Sequence, residues 1–218
     1  KECGVDDEGR FDGANPVHEY DDSAIHMIRD NGKCILCRRC VAACQAQHIS
    51  VIGANARGFD THIGSAFERP LDSVACVSCG QCLVSCPFGA IVDKSQIYQV
   101  IRSMLEGNEV VAIVAPSFVG QFGKDVTVPK FLTAMKQLGF ADVVEVAVGA
   151  DICTIEEARD FMEKVPEEQR FMATSCCPAW SVMAKKEFPG FAPYISMTMT
   201  PMVLTARLQK RRNPDCKI

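Results

Sequence analysis

The chain has 218 residues, 48% of them hydrophobic, a net charge of −4 and a pI near 5.6. That length and apolar content support two modest domains with packed cores and exclude a disordered chain. The acidic balance offers no broad basic face for nucleic acid, and no apolar run approaches the roughly 18 residues of a membrane span.

Thirteen cysteines dominate the composition. An odd count without a recognisable secretory signal fits metal ligation in a reducing compartment better than a disulfide framework, so the expected location is the cytoplasm. The chain opens with Lys1 rather than Met, which leaves an upstream segment open.

In chain order, residues 1–95 hold nine of the cysteines among short apolar runs, and a hydrophobic core alone does not account for this half. Cys34, Cys37, Cys40 and Cys44 form CxxCxxCxxxC; Cys76, Cys79, Cys82 and Cys86 repeat it, followed by Pro87. Such spacing points three thiolates of one loop at three corners of an iron–sulfur cube, while the fourth cysteine reaches the other cluster. One [4Fe–4S] cluster is therefore expected on Cys34, Cys37, Cys40 and Cys86, and a second on Cys76, Cys79, Cys82 and Cys44. Zinc leaves the four-plus-four duplication unexplained, and disulfides demand a pairing geometry that triplets at this spacing scarcely permit.

From about residue 95 the pattern changes. Apolar β-type runs at 110–115, 143–148 and 171–174 alternate with helical segments. One helix is expected from Val128, with Thr127 as N-cap and Pro129 in its first turn, ending before Gly139. Others are expected over 154–165, with Thr154 and Glu157 in capping-box form, over 178–188 and over 201–212. The closing DCKI could start a further strand. Alternating β and α elements imply a parallel sheet with ligands beyond the carboxyl ends of its strands, in the loops 115–117, 149–153 and 175–180. The expected fold is an α+β ferredoxin-like two-cluster domain (1–95) followed by an α/β portion with a parallel sheet (96–218).

The segments VAPS (114–117), FLTAMKQLGF (131–140), VGADICTIEEA (148–158), ATSCCPAW (173–180) and TP (200–201) resemble the catalytic domain of [FeFe]-hydrogenases, and the first half is similar to the two-cluster domain that precedes it there. CILCRRCVAAC (34–44) also resembles part of the large complex-I-type subunits. The resemblance implies reversible reduction of protons to H2 at an H-cluster, a [4Fe–4S] cube joined to a two-iron subsite with CO, cyanide and azadithiolate. It implies Cys177 as a ligand of the cube and Cys176 as the thiol that exchanges a proton with the bridgehead amine. Glu157, Ser196 and Asp160 continue the proton relay, and Ala115, Pro116, Ser117, Thr200 and Met202 surround the subsite.

The chain departs from the family pattern in four places. Asp160 stands where the family usually has Glu; Ala179, Met202 and Gln45 replace the common Gly, Gln and Pro. The PCxxKxxE and later CxxxC motifs of the family do not occur, so the H-cluster domain is expected to be incomplete and the chain a fragment. A ferredoxin or a flavoprotein subunit oxidising NAD(P)H is the expected redox partner. Two competing readings are a hydrogen-sensing regulatory relative and a non-catalytic iron–sulfur assembly relative; retention of Cys176 with Glu157 argues against the second. Cys3, Cys153, Cys216 and the four histidines are expected to be structural, with Cys153 the cysteine to watch, since it lies near the presumed site.

Overall fold

A computed structural model describes residues 4, 6–7, 9–14 and 16–218. Cys3 lies outside the described residues. The chain divides into two compact units, one up to Lys94 and one from Ser95 to Ile218.

In the first unit, β1 (Tyr20–Asp21) and β2 (Met27–Asp30) pair antiparallel, with Asp21 opposite Arg29. Helix α1 (Arg39–Ala46) follows the first cysteine loop. The insert between the motifs folds as an antiparallel hairpin of β3 (Ile52–Asn55) and β4 (His62–Ser65). The short helix α2 (Gln81–Val84) follows the second cysteine loop, and β5 (Ile91–Asp93) returns to pair with β2. The core is small: Ala24, Met27, Ile52, Ile63, Leu71 and Ile91 pack directly with Cys40 and Cys44. The cysteines are part of the core, which is why apolar patterning is weak in this half.

In the second unit, α3 (Ile97–Leu105) leads into β6 (Val111–Val114); α4 (Val128–Gln137) then crosses over to β7 (Asp142–Glu145). β6 and β7 are parallel, Val111 opposite Asp142 through Val114 opposite Glu145. Helix α4 starts after Thr127 with a proline in its first turn, and Gly139, at φ +110°, turns the chain out of it. That is the usual role of a glycine just past a helix end. Near the carboxyl end, Lys217 bridges to Val110 in parallel, so the expected new strand exists as a single bridge.

The strand expected over 143–148 ends early, because α5 (Val146–Lys164) begins directly after β7. Two physical reasons combine. The partner strand ends at Val114, before Pro116, so residues beyond Glu145 have no ladder to join. Val146, Gly149 and Cys153, at helical spacing, bury themselves instead. Thr154 consequently lies inside the helix, its hydroxyl donating to the Ala150 carbonyl at 2.9 Å, so the expected cap at Thr154 is corrected. The run 171–174 makes one parallel bridge, Ala173 to Ile195. Helices α6 (Pro178–Glu187) and α7 (Pro201–Arg212) complete the unit, and α7 packs along α5.

Candidate functional site

The eight motif cysteines line two separate cavities. Cys34, Cys37, Cys40 and Cys86 share one with Arg29, Asn31 and Phe88; Cys44, Cys76, Cys79 and Cys82 share the other with His26, Met27 and Leu71. The crossing of Cys44 has a helical cause. Cys40 and Cys44 sit four residues apart on one face of α1, and a rise of about 6 Å carries the second thiol from the first cavity to the other.

The electrostatic neighbours divide in the same way. Burial pushes the Cys82 thiol up to about 11, with Cys76, Cys79 and Cys44 adding to the effect. Burial likewise raises Cys40, opposed by a Val41 backbone N–H and helped by Cys34 and Cys86. Burial acts upward on Cys86 too, but the backbone N–H groups of residues 88–91 outweigh it and lower the thiol. The raised Cys40 and Cys82 thiols resist ionising until a cationic iron centre compensates them.

Backbone geometry repeats along with the motif. Leu36 and Ser78, each two residues after a first cysteine, have φ +59° and +57°; Arg38 and Gly80, each one after a second cysteine, have +59° and +74°. Three of these four are not glycine, at a cost of about 1–2 kcal/mol apiece. Left-handed turns of this kind aim backbone N–H groups into an anion-binding concavity, and the Leu36 N–H donates to Cys34 Sγ at 3.4 Å.

Buried atoms without partners collect at the same places. Among the described residues these are His26 Nδ1, Arg29 Nε and Nη1, Asn31 Oδ1 and Thr200 Oγ1. All but the last belong to residues lining a cysteine cavity. Among the described residues, no three His, Cys, Asp or Glu groups converge on one point as a single ion requires, and the twelve described cysteines are all free. Sulfurs spread around a cavity, with N–H groups left to serve inorganic sulfide, suit a [4Fe–4S] cube better than zinc or disulfides.

In the second unit, a cavity of about 200 Å³ is lined by Cys176, Glu157, Cys153, Thr154, Ser175 and Met199. A neighbouring cavity of about 440 Å³ is lined by Asp160, Glu156, Lys164 and Met197, and shares Cys153, Thr198 and Met199 with the first. The structure thus brings Cys176 and Glu157 together and places Asp160, ion-paired to Lys164 at 2.6 Å, next door. Ser196 is buried and lines neither cavity; its hydroxyl accepts from the Thr198 N–H at 3.2 Å. Cys177 is the exposed N-cap of α6 and faces neither cavity. Ala115, Pro116 and Ser117 form an exposed turn after β6, Met202 is exposed, and the Thr200 hydroxyl is buried without a partner. None of these five lines the Cys176 cavity.

Sequence reasoning passed over Arg29 and Met27, whose only signal was proximity to the first motif, and held His26 to be structural. It also held Cys153 to be structural. Cys153 is indeed buried, its thiol donating to the Met199 carbonyl at 3.0 Å and raised by burial and by Glu157, but it walls both cavities.

A small α+β unit with two four-cysteine cavities, followed in the chain by a parallel-stranded unit carrying adjacent cysteines, defines an iron–sulfur oxidoreductase class. Residues 33–90 match the 4Fe–4S dicluster domain model, and residues 108–217 match the model for the C-terminal domain of the iron only hydrogenase large subunit. The chain belongs to the iron-only hydrogenase family. It is 30% identical to the NADP-reducing hydrogenase subunit HndD of Solidesulfovibrio fructosivorans, over 95% of this chain and 38% of that protein. It is 32% identical to iron hydrogenase 1 of Clostridium pasteurianum, over 90% of this chain and 36% of that protein. Against the periplasmic [Fe] hydrogenase large subunit of Nitratidesulfovibrio vulgaris the figures are 28%, 64% and 44%. The chain therefore spans less than half the length of each of these relatives. No helix among the described residues is long and apolar enough to cross a membrane.

Proposed function

We propose that the chain is the electron-relay domain, residues 1–95, and the amino-terminal part of the catalytic domain, residues 96–218, of an [FeFe]-hydrogenase that reversibly reduces protons to H2. The observation that carries this reading is the division of eight cysteines into two cavities of four, each with one cysteine from the other motif. These residues hold one [4Fe–4S] cluster on Cys34, Cys37, Cys40 and Cys86 and a second on Cys44, Cys76, Cys79 and Cys82, a pair that passes single electrons.

An H-cluster, when bound, supplies the iron site at which electrons and protons combine. Cys177 is the one ligand these residues offer it, so the donor set here fits that group only at its edge. What the chain itself supplies is proton handling. Cys176 exposes its thiol to the cavity it shares with Glu157, which has room for water to bridge the two side chains. Asp160 is the outer station in the adjoining cavity, one turn further along α5. Ser196 fixes the Thr198 backbone that walls both cavities.

The resemblance to an NADP-reducing hydrogenase subunit supports a flavoprotein subunit handling NAD(P)H as redox partner, with ferredoxin the other candidate. Free cysteines poised for iron–sulfur ligation support a cytoplasmic location. The tests are direct. Anaerobic reconstitution of this chain is expected to load about eight iron atoms, and zinc binding with no iron would refute the relay. In the full polypeptide, Cys176→Ser is expected to keep its iron and lose H2 evolution by more than about 100-fold, the scale of a removed acid–base group. Unchanged evolution would refute the thiol's role.

A further inference from the structure

Strand β2 presents Met27 and Arg29 on the same buried face, and the two side chains line different cysteine cavities. Met27 meets the second cavity with a thioether, Sδ lying 3.7 Å from Cys82 Sγ. Arg29, itself 4% exposed, meets the first with its guanidinium. Asp21, opposite it on β1, takes Nη2 in an ion pair, which leaves Nε and Nη1 buried without a partner. A guanidinium is always charged, so two unmet N–H groups in the interior require an acceptor. Arg29 also walls a polar cavity with His18, His62, Glu68 and Arg69, where water is the competing acceptor.

We propose that Arg29 donates Nε–H and Nη1–H to sulfur of the cluster held by Cys34, Cys37, Cys40 and Cys86, and thereby sets that cluster's reduction potential above the value its cavity would otherwise give. This rests on the two-cluster reading above. One-electron reduction, by dithionite in a titration, adds a unit negative charge to the cluster, and an adjacent fixed cation with hydrogen bonds stabilises the reduced form. The second cluster has an uncharged thioether at the equivalent place on β2. Its own unpartnered neighbour, His26 Nδ1, donates only in the tautomer that carries a proton there.

The experiment is an EPR-monitored redox titration of the whole chain after anaerobic reconstitution. The first-cavity signal is identified as the one Cys86→Ser perturbs. Arg29→Met is expected to make reduction of that cluster at least about tenfold less favourable, a downward shift of about 59 mV for a one-electron couple, and to leave the other midpoint in place. Arg29→Lys, keeping the charge without the planar fork, should fall between, and Asp21→Asn, removing the counter-charge, should shift the same midpoint upward. If Arg29→Met fails to load iron, the Lys and Asp21→Asn variants decide. Fully loaded variants with both midpoints unmoved overturn the inference and leave the two-cluster reading standing. An unsubstituted chain that takes up neither iron nor sulfide overturns that reading itself.

Discussion

Helix α5 crosses α7 where position 149 has no side chain, and Gly149→Ala measures how tightly that crossing sets the Cys176 cavity. A methyl there would collide with Thr205 Oγ1 and stand 2.7 Å from the Pro201 carbonyl oxygen, 0.7 Å inside the 3.4 Å of ordinary contact. The hydroxyl cannot swing away freely, since Thr205 is 2% exposed and donates to that same carbonyl at 2.8 Å. The carbonyl belongs to the first turn of α7 and moves only with the helix. Overpacking of this kind costs about 1–3 kcal/mol. Alanine's better helical preference returns about 1 kcal/mol, so a net loss of up to about 2 kcal/mol is expected. Urea unfolding followed by circular dichroism, at unchanged m-value, is the assay. A second change, Thr205→Ala, removes the hydroxyl collision and leaves the backbone one, so it should restore only part of the loss in a double-mutant cycle. A Gly149→Ala protein more stable than its parent would refute the account, and full rescue by Thr205→Ala would show that the carbonyl contact does not matter.

Three further outcomes are expected. Cys44→Ser should yield the same residual EPR spectrum as Cys79→Ser, and Cys86→Ser the same as Cys37→Ser; the opposite pairing would mean that each motif binds its own cluster with all four cysteines. Gly80→Ala adds a Cβ that meets nothing within 4 Å, so only its φ of +74° counts, and a loss of about 1 kcal/mol in thermal or urea unfolding is expected, with no loss condemning the backbone argument. The Lys136 ammonium, 2.9 Å from Asp142, holds that carboxyl below its ordinary value of 3.8. Its support is therefore full above about pH 4 and vanishes as pH falls through the lower folded-state value. Both side chains are half exposed, so the effect is under about 1 kcal/mol, and Lys136→Met should flatten the acid limb of a stability–pH profile by that much. An unaltered limb would remove Asp142 from the account.

The chemistry of this chain is largely written locally. Cysteines at spacings of three, three and four fix which thiols a single loop can offer to one cube, because the reach of so short a segment allows little else. Helices α4, α6 and α7 announce themselves through Pro near their first turns and, at α4, a Gly beyond the end, which are backbone constraints independent of the rest of the molecule. Where two elements compete for the same residues, the sequence is ambiguous. The run 143–148 has strand composition throughout, yet its second half is helical because β6 stops and α7 offers a groove, and both facts lie far away in the chain. The same dependence governs the sites. Arg29 and Met27 look like ordinary strand residues until β1, β5 and the two loops fold around them. Cys176 and Glu157 share a cavity, while Ser196 is turned into the packing and Cys177 toward solvent, because packing between α5, α7 and the 173–199 segments decides which atoms face one another. Spacing sets what a segment can bind; only the folded neighbours determine what stands beside it, since burial and charge act through distances that sequence separation does not encode.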